Sequence, residues 1–297
     1  MNPMTSPPPA KRAGRLATML ACAFALLAAL FPGLCAAQSV NDQARAALPG
    51  ALRDSGVLKV ATSLQWPPFD FQAANGQPDG LDIRLVRLLA AKLGLRPQFE
   101  DVKFPSIVPG VQSGRFDIGV DQIGITPERA RVVDFVPYYD SGYGLLVRQG
   151  EESLDVNHLC GHTLVLTQAS AQVGVAQELS GACTAAGDKP IALLYFPDSA
   201  DTYLALANGR GDGFLTDRAV GVYIARGNQK LAMTSGSLAG HTLLSGIVVA
   251  KGNDALRAAL RQALAGAVAD GSYARLMSDF GVPEGALTVA QINAPTP

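Results

Sequence analysis

The sequence has no excess of charge of either sign, and this argues against a nucleic-acid-binding protein. Its 297 residues include 24 lysines and arginines and 25 aspartates and glutamates, a formal net charge of -1. Nucleic-acid-binding surfaces need a basic patch. The sequence also lacks heptads, a repeat at a fixed period and an extended low-complexity segment, which excludes a coiled coil and a repeat array. We therefore expect no nucleic-acid partner.

The N-terminal apolar run is too short for an ordinary membrane-spanning helix. This run, Leu16–Phe31, falls short of the roughly 20 residues that a spanning helix needs. Basic residues precede it and small residues follow it, which is the pattern of a signal peptide. We predict that residues 1–37 are a signal peptide cleaved near Ala37, and that the protein is exported to the periplasm. The alternatives are a membrane anchor and a lipoprotein; Cys35 follows Leu34 rather than a small residue, which argues against the lipoprotein.

Cysteines are scarce, and two of the four lie in the predicted signal peptide. The remaining pair, Cys160 and Cys183, is expected to form one disulfide in an oxidising compartment. Because His158 and His162 flank Cys160, a metal site is the alternative. Gly161 argues against a helix that would bring both histidines onto one face, and the sequence has no second ligand pair of the kind that zinc sites use. We therefore expect a disulfide and no metal.

Strand and helix patterns alternate along the rest of the chain, which has a hydrophobic content of 48% and a charged content of 16%. These values indicate a globular protein with a core, long enough for two domains. Strands are predicted at 57–62, 96–102, 143–148, 163–167, 191–196, 213–216, 230–233 and 246–250, and helices at 81–93, 107–112, 170–179, 199–208, 217–226, 254–269 and 271–279. Such alternation predicts two α/β lobes with parallel sheets, which bind ligands beyond the carboxyl ends of their strands.

One segment combines a short strand with a helix start that could bind an anion. Phe116–Val120 is an apolar strand, and Thr126 followed by Pro127 is typical of a helix N-terminus. Arg129 then lies in the first helical turn, beside backbone N–H groups that have no partner in the helix. A guanidinium group and free N–H donors together can bind a carboxylate. The alternative is an ordinary surface arginine paired with a neighbouring acid.

Motifs along nearly all of the mature chain occur in the order and spacing of a known family. They include Gly56–Thr62, Trp66–Phe69, Asn75–Asp82, Leu89–Gly94, Pro109–Asp117, Ile125–Arg129, Val133–Tyr139 and Asn208–Asp217. With these motifs, the chain from about residue 56 to 281 resembles the periplasmic solute-binding proteins of amino-acid ABC transporters, the extracellular solute-binding family 3.

The resemblance implies an α/β fold of two lobes, the type II periplasmic binding protein, with two crossing strands and a ligand cleft between the lobes. Residues 38–146 would form the first part of lobe 1 and residues 147–246 would form lobe 2. Residues 247–297 would return to lobe 1 and end in a C-terminal tail. The protein would close around an amino acid and deliver it to a membrane permease. It would act as a monomer without a cofactor.

The resemblance also assigns roles to individual residues. Arg129 would clamp the α-carboxylate of the ligand, helped by the backbone N–H of Gly124 and by Ser170 at the next helix start. Asp217 would accept hydrogen bonds from the α-ammonium group. The alternative for Asp217 is that it only caps the 217–226 helix.

Aromatic residues would form the walls of the same site. By resemblance, Trp66 and Phe104 would enclose the ligand side chain. The alternatives are that Trp66 belongs to the Pro-Pro turn that follows it and that Phe104 belongs to the core.

Several residues depart from the pattern of the family, among them three at the predicted cleft. Gly124 stands where a threonine or serine is usual, and Asp121 and Gln122 replace small residues at the edge of the cleft. If Asp121 points into the cleft, its charge must be matched, because an unpaired buried carboxylate is costly. We therefore favour a basic or polar amino acid as the ligand. The alternative is that Asp121 turns back to a backbone amide or to water.

Two other functions compete with transport. Periplasmic cyclohexadienyl dehydratases share the fold that the resemblance implies, but an enzyme needs a general acid over its substrate, and Asp121 is the one candidate that we can place. A non-transport accessory protein is the other alternative. The presence of both Arg129 and Asp217 argues against it, because an empty cleft needs neither residue.

Overall fold

The computed structural model describes residues 40–296. The predicted signal peptide and its cleavage site therefore lie outside the described residues. Within this range, no helix combines the length and the apolar character that are needed to cross a membrane.

The bounds of the elements in this range are as follows. The strands are β1 (Val57–Thr62), β2 (Gln65–Trp66), β3 (Asp70–Gln72), β4 (Pro78–Asp79), β5 (Arg96–Asp101), β6 (Ile118–Gly119), β7 (Val133–Arg148), β8 (Thr163–Thr167), β9 (Ala192–Phe196), β10 (Gly213–Asp217), β11 (Leu231–Met233) and β12 (Thr242–Ala250). The α-helices are α1 (Asp42–Ala46), α2 (Gly50–Ser55), α3 (Leu81–Leu93), α4 (Ile107–Gln112), α5 (Pro127–Ala130), α6 (Ala171–Ala185), α7 (Ser199–Ala207), α8 (Arg218–Gly227), α9 (Asp254–Ala269), α10 (Ser272–Asp279) and α11 (Val289–Asn293).

The main sheet consists of two halves that meet at strand β7. The strand order is β5-β1-β6-β12-β7 in the first half and β7-β10-β8-β9 in the second, and β11 also pairs with β7. Strand β1 is parallel to β5 and β6, and β8 is parallel to β9 and β10. Strands β10 and β12 run antiparallel to β7. The alternation of strands and helices in the sequence predicts the parallel pairs, whereas the antiparallel pairs with β7 make the sheet mixed.

Strand β7 carries the chain from one half-sheet to the other. Residues 133–142 pair with β12, and residues 143–146 pair with β10. The register of β12 shifts between Ser245 and Gly246, and Pro137, which has no N–H to donate, is the partner of Gly246 at this shift. The lobe boundaries predicted at residues 146 and 246 fall within these two strands and stay predictions.

Helix α3 places a carboxylate beneath the first half-sheet. The predicted bounds of 81–93 are confirmed, and the helix ends at Gly94 in a left-handed conformation. It packs against α9 and α10 and buries Asp82 in its first turn. Gly80 precedes it at φ +124°, where a Cβ atom would lie 2.2 Å from the carbonyl oxygen of Phe69. A side chain at this position would therefore displace the start of the helix and, with it, Asp82.

The predicted helix start near Arg129 is confirmed. Thr126 is the N-cap of α5, and its hydroxyl oxygen accepts a hydrogen bond from the backbone N–H of Arg129 at 3.2 Å. The preceding strand is shorter than predicted, since β6 contains only Ile118 and Gly119 of the expected strand 116–120.

Cys160 and Cys183 form the predicted disulfide. Their Cα atoms are 5.5 Å apart, and the bond joins the loop before β8 to helix α6 across a sequence separation of 23 residues. With Cys160 bonded in this way, it is not available to a metal ion between His158 and His162.

Replacing both cysteines with serine should destabilise the protein by about 3 kcal/mol, because a loop of this length loses its constraint in the unfolded chain. Thermal unfolding of the oxidised protein should show the loss as a lower Tm, and reductant should lower the Tm of the wild type similarly. The double serine variant is the control, because reductant should leave its Tm unchanged. A wild-type Tm that does not respond to reductant would contradict the prediction.

Candidate ligand-binding site

Arg129 lies at the junction of the two half-sheets and contacts both of them. Its Nη1 donates a hydrogen bond to the carbonyl oxygen of Gly124 at 2.6 Å, and its Nη2 donates to that of Ala169, in the loop after β8, at 2.6 Å. The guanidinium carbon lies 5.6 Å from the centre of the Phe104 ring. Burial lowers the pKa of Arg129 to about 10, so the side chain stays cationic at neutral pH.

A pocket lies beside this arginine. Seven of the eight predicted ligand-binding residues line it: Trp66, Phe104, Asp121, Gln122, Gly124, Arg129 and Ser170. The residues that sequence reasoning missed are Thr167, Ala171, Gln172, Ser199, Phe214 and Leu243. Two of these carried a usable signal, since Thr167 ends strand β8 and Phe214 belongs to the motif that contains Asp217.

Gly124 is closely packed, which explains why this position has no side chain. A Cβ atom there would lie 2.7 Å from Cδ1 of Leu243 and 2.9 Å from Cβ of Ala171. A threonine or serine at position 124 would therefore push the two half-sheets apart. The hydroxyl group that the sequence lacks here has no room in this structure.

Trp66 and Gln122 form one wall of the pocket. The indole Nε1 of Trp66 donates to Oε1 of Gln122 at 2.6 Å, and the indole packs edge-on against Phe214, with ring centres 6.1 Å apart. The backbone N–H of Gln122 donates to Oδ2 of Asp82 at 2.6 Å. Gln122 has a φ of +42°, a conformation that few non-glycine residues adopt, and these contacts hold it there.

Three buried carboxylates lie next to this wall. Oδ2 of Asp121 accepts from the backbone N–H of Ser63 at 2.7 Å, and Oδ1 of Asp82 accepts from the hydroxyl of Tyr138 at 2.6 Å. Burial raises the pKa of Asp121 to about 7 and that of Asp82 to about 6. Burial and the neighbouring charges of Asp121 and Asp82 raise the pKa of Asp70 well above its ordinary value.

Asp217 is placed differently from the other predicted site residues. It is fully buried and does not line the pocket. Its Oδ1 accepts from the backbone N–H groups of Ala219 and Val220, at 2.8 and 3.2 Å, and its Oδ2 accepts from the hydroxyl of Ser141. The structure therefore shows the helix cap that was the alternative for this residue, at the start of α8.

Contacts outside the pocket also join the two half-sheets. Nζ of Lys103 lies 2.7 Å from Oδ2 of Asp198, and the hydroxyl of Tyr203 donates to the carbonyl oxygen of Gln65 at 3.1 Å. Together with the hydrogen bond from Arg129 to Ala169, these contacts hold the cleft closed.

Two α/β half-sheets joined by crossing strands, with a pocket between them, define a two-lobe binding protein of the type II periplasmic class. The model of the bacterial extracellular solute-binding proteins, family 3, matches residues 58–282. The chain belongs to this family, which confirms the resemblance and the fold predicted from the sequence.

Proteins with named ligands match most of this chain. The arginine-binding protein ArgT of Corynebacterium glutamicum is 29% identical over 251 residues, covering 84% of this chain and 82% of ArgT. The L-cystine-binding protein TcyJ of Escherichia coli is 27% identical over 257 residues, covering 85% of this chain and 92% of TcyJ. An ancestral arginine-binding protein, solved with arginine and with glutamine, is 30% identical with a TM-score of 0.68, covering 76% of this chain and 98% of its own.

Proposed function

We propose that the protein is the periplasmic substrate-binding component of an amino-acid ABC transporter, which binds its ligand between the lobes and delivers it to a membrane permease. The observation that carries this proposal is that the guanidinium of Arg129 and the carboxylate of Asp121 line one pocket between the half-sheets. A cation and an anion on one small pocket match the carboxylate and ammonium groups of an amino acid. The relatives named for binding arginine and cystine support the same class of ligand.

In this proposal the ligand carboxylate binds Arg129 and Ser170. Within residues 40–296, the Arg129 guanidinium donates to two backbone carbonyls, and a carboxylate is a stronger acceptor than a carbonyl. The hydroxyl of Ser170 is buried at the pocket and has no hydrogen-bond partner among the described residues. A bound carboxylate would satisfy both groups.

The walls of the pocket suit a side chain with an apolar stem and a polar end. Trp66 and Phe104 offer aromatic surface, whereas Thr167, Gln172 and Ser199 offer hydroxyl and amide groups. A polar or basic amino acid is therefore favoured over an aliphatic or an acidic one. We further propose that the protein is a monomer that uses no cofactor, metal or nucleic acid.

One observation favours an enzyme on the same fold as a second candidate. Burial raises the pKa of Asp121 to about 7, and a general acid works best with a pKa near the working pH. The hydrogen bond from the Ser63 backbone holds this carboxylate at the pocket wall, and we propose a binding role for it. Conversion of a cyclohexadienyl substrate by the purified protein would reverse this choice.

Calorimetric titration with arginine, lysine, histidine, glutamine, glutamate and leucine tests the proposed function. The polar and basic ligands should bind at least about tenfold more tightly than glutamate or leucine, a difference of about 1.4 kcal/mol. Native mass spectrometry of protein purified without refolding should in parallel find a carried-over amino acid. Tightest binding of leucine or glutamate would contradict the ligand class, and no binding of any amino acid would contradict the proposed function.

A further inference from the structure

Asp217, to which the family resemblance assigns the ligand ammonium, is buried away from the pocket in this protein. Asp217 accepts three hydrogen bonds from within the protein, two from the start of α8 and one from Ser141. It is fully buried, and no part of it lines the pocket. An ammonium group could reach this carboxylate only if a neighbouring side chain moved.

Gln122 lies against both the pocket and Asp217. It lines the pocket while its exposed fraction is only 4%, and it lies close enough to lower the pKa of Asp217. Its carbonyl oxygen accepts from Trp66, and its backbone N–H donates to Asp82. These two contacts fix both ends of the residue, so Gln122 closes the path to Asp217.

Asp121 lies on the other side of this barrier and lines the pocket together with Arg129. One of its oxygens is held by the Ser63 backbone. Among residues 40–296, no lysine or arginine forms an ion pair with it. The charge of Asp121 partly offsets the lowering of the Arg129 pKa by burial, so the two opposite charges lie close together at the pocket. A buried carboxylate without a cationic partner is costly, and an ammonium group of the ligand in this pocket would lower that cost.

We infer that Asp121, and not Asp217, receives the α-ammonium group of the ligand, with Gln122 as the barrier that excludes Asp217. The inference rests on the proposed function. It places both charged contacts of the zwitterion on one short segment, residues 121–129. A second consequence is that no further acid remains on the pocket to match a cationic side chain. Within the polar or basic class, the site then fits a neutral polar side chain such as that of glutamine.

Matched isosteric variants and matched ligands test this inference. The variants are Asp121→Asn and Asp217→Asn, and the ligands are glutamine and its des-amino analogue 5-amino-5-oxopentanoate, which keeps the carboxylate but lacks the ammonium. Asparagine can still accept from Ser63 at position 121, and it is a good helix cap at position 217. Melting curves of both variants verify that they remain folded.

The wild type should prefer glutamine over the des-amino analogue by about 10- to 100-fold, the range expected for one charge-assisted hydrogen bond. In Asp121→Asn this ratio should fall to within about threefold, whereas Asp217→Asn should keep it. Arginine should bind the wild type no more tightly than glutamine does.

Each contrary result has a distinct meaning. Loss of the ratio in Asp217→Asn, alone or together with Asp121→Asn, would overturn the inference and leave the proposed function standing. Tighter binding of arginine that depends on Asp121 would overturn it too, because Asp121 would then meet the ligand side chain. If the wild type binds none of the amino acids, the proposed function fails and the inference fails with it.

Discussion

Replacing Arg129 with alanine should abolish ligand binding and leave the protein folded. A charge-assisted hydrogen bond contributes about 1.5–3 kcal/mol, and a ligand carboxylate left without its partner in a closed cleft costs more. We therefore expect binding to weaken by at least about 100-fold in calorimetry, since 1.4 kcal/mol corresponds to a factor of ten. The protein groups that lose a partner are the backbone carbonyls of Gly124 and Ala169, which water can reach once the cleft opens.

Two further variants make this test specific. Arg129→Lys should restore little binding, because an ammonium is a point charge without the planar fork of a guanidinium. Arg131→Ala is the matched control, because Arg131 is an exposed arginine only two residues away and its loss should not change the affinity. An alanine variant at position 129 that binds as the wild type does would show that the carboxylate clamp is wrongly assigned.

Lowering the pH from about 8 to about 5 should raise the free energy of unfolding. The pKa of Asp121 is raised from 3.8 to about 7 and that of Asp82 to about 6, both mainly by burial. A folded protein whose carboxyl pKa is raised binds more protons than the unfolded chain, so stability is lost as the pH rises from the unfolded to the folded pKa. Between pH 5 and the folded pKa there are about two pH units for Asp121 and one for Asp82. At about 1.4 kcal/mol per unit, the free energy of unfolding should fall by roughly 4 kcal/mol from pH 5 to pH 8.

Acids whose pKa is lowered in the folded protein do not contribute between pH 5 and 8. The pKa values of Asp79 and Asp270 are lowered to about 2 by their hydrogen bonds with Arg84 and Lys92, so their contribution is lost only below about pH 4. The stability between pH 5 and 8 therefore reflects the buried carboxylates.

Urea unfolding at several pH values measures this effect. Asp121→Asn should remove about two thirds of the pH dependence that Asp121 and Asp82 contribute together. Asp117→Asn is a matched control, because Asp117 accepts a similar hydrogen bond, from the backbone N–H of Lys59 at 2.7 Å, but is only half-buried. The control should keep the pH dependence of the wild type. A stability that rises from pH 5 to pH 8 would refute the assignment of raised pKa values.

The parts of the site that depend on local signals could be predicted from the sequence. Thr126 and Pro127 fix the start of α5, and this places Arg129 in the first turn of the helix. The sealing of Asp217 could not be predicted. It depends on the positive φ of Gln122. Contacts with Asp82 and Trp66, which lie more than 35 residues away along the chain, hold this conformation. No pattern near residue 122 indicates such a conformation.

The crossing strand shows the same limit in the fold. Only residues 143–148 were predicted as strand, because Pro137 and the polar residues at 140–142 resemble a break in the sequence. The structure continues β7 from Val133 to Arg148. Pairing with β12 supplies the hydrogen bonds, and the register shift near Gly246 accommodates the proline. Tertiary pairing thus overrides the local preference.

The paired strands β7 and β12 also limit how the two half-sheets can bend relative to each other. Their ladder is continuous from Val133 to Gly142 except at the shift beside Gly246. A two-stranded ribbon resists shearing along its hydrogen bonds and bends most easily where the ladder is interrupted, so it acts as an elastic joint rather than a loose tether. If the cleft opens by bending at this interruption, the motion is a rotation about one axis, and a membrane partner would need to sense only one angle to distinguish a loaded from an empty receptor.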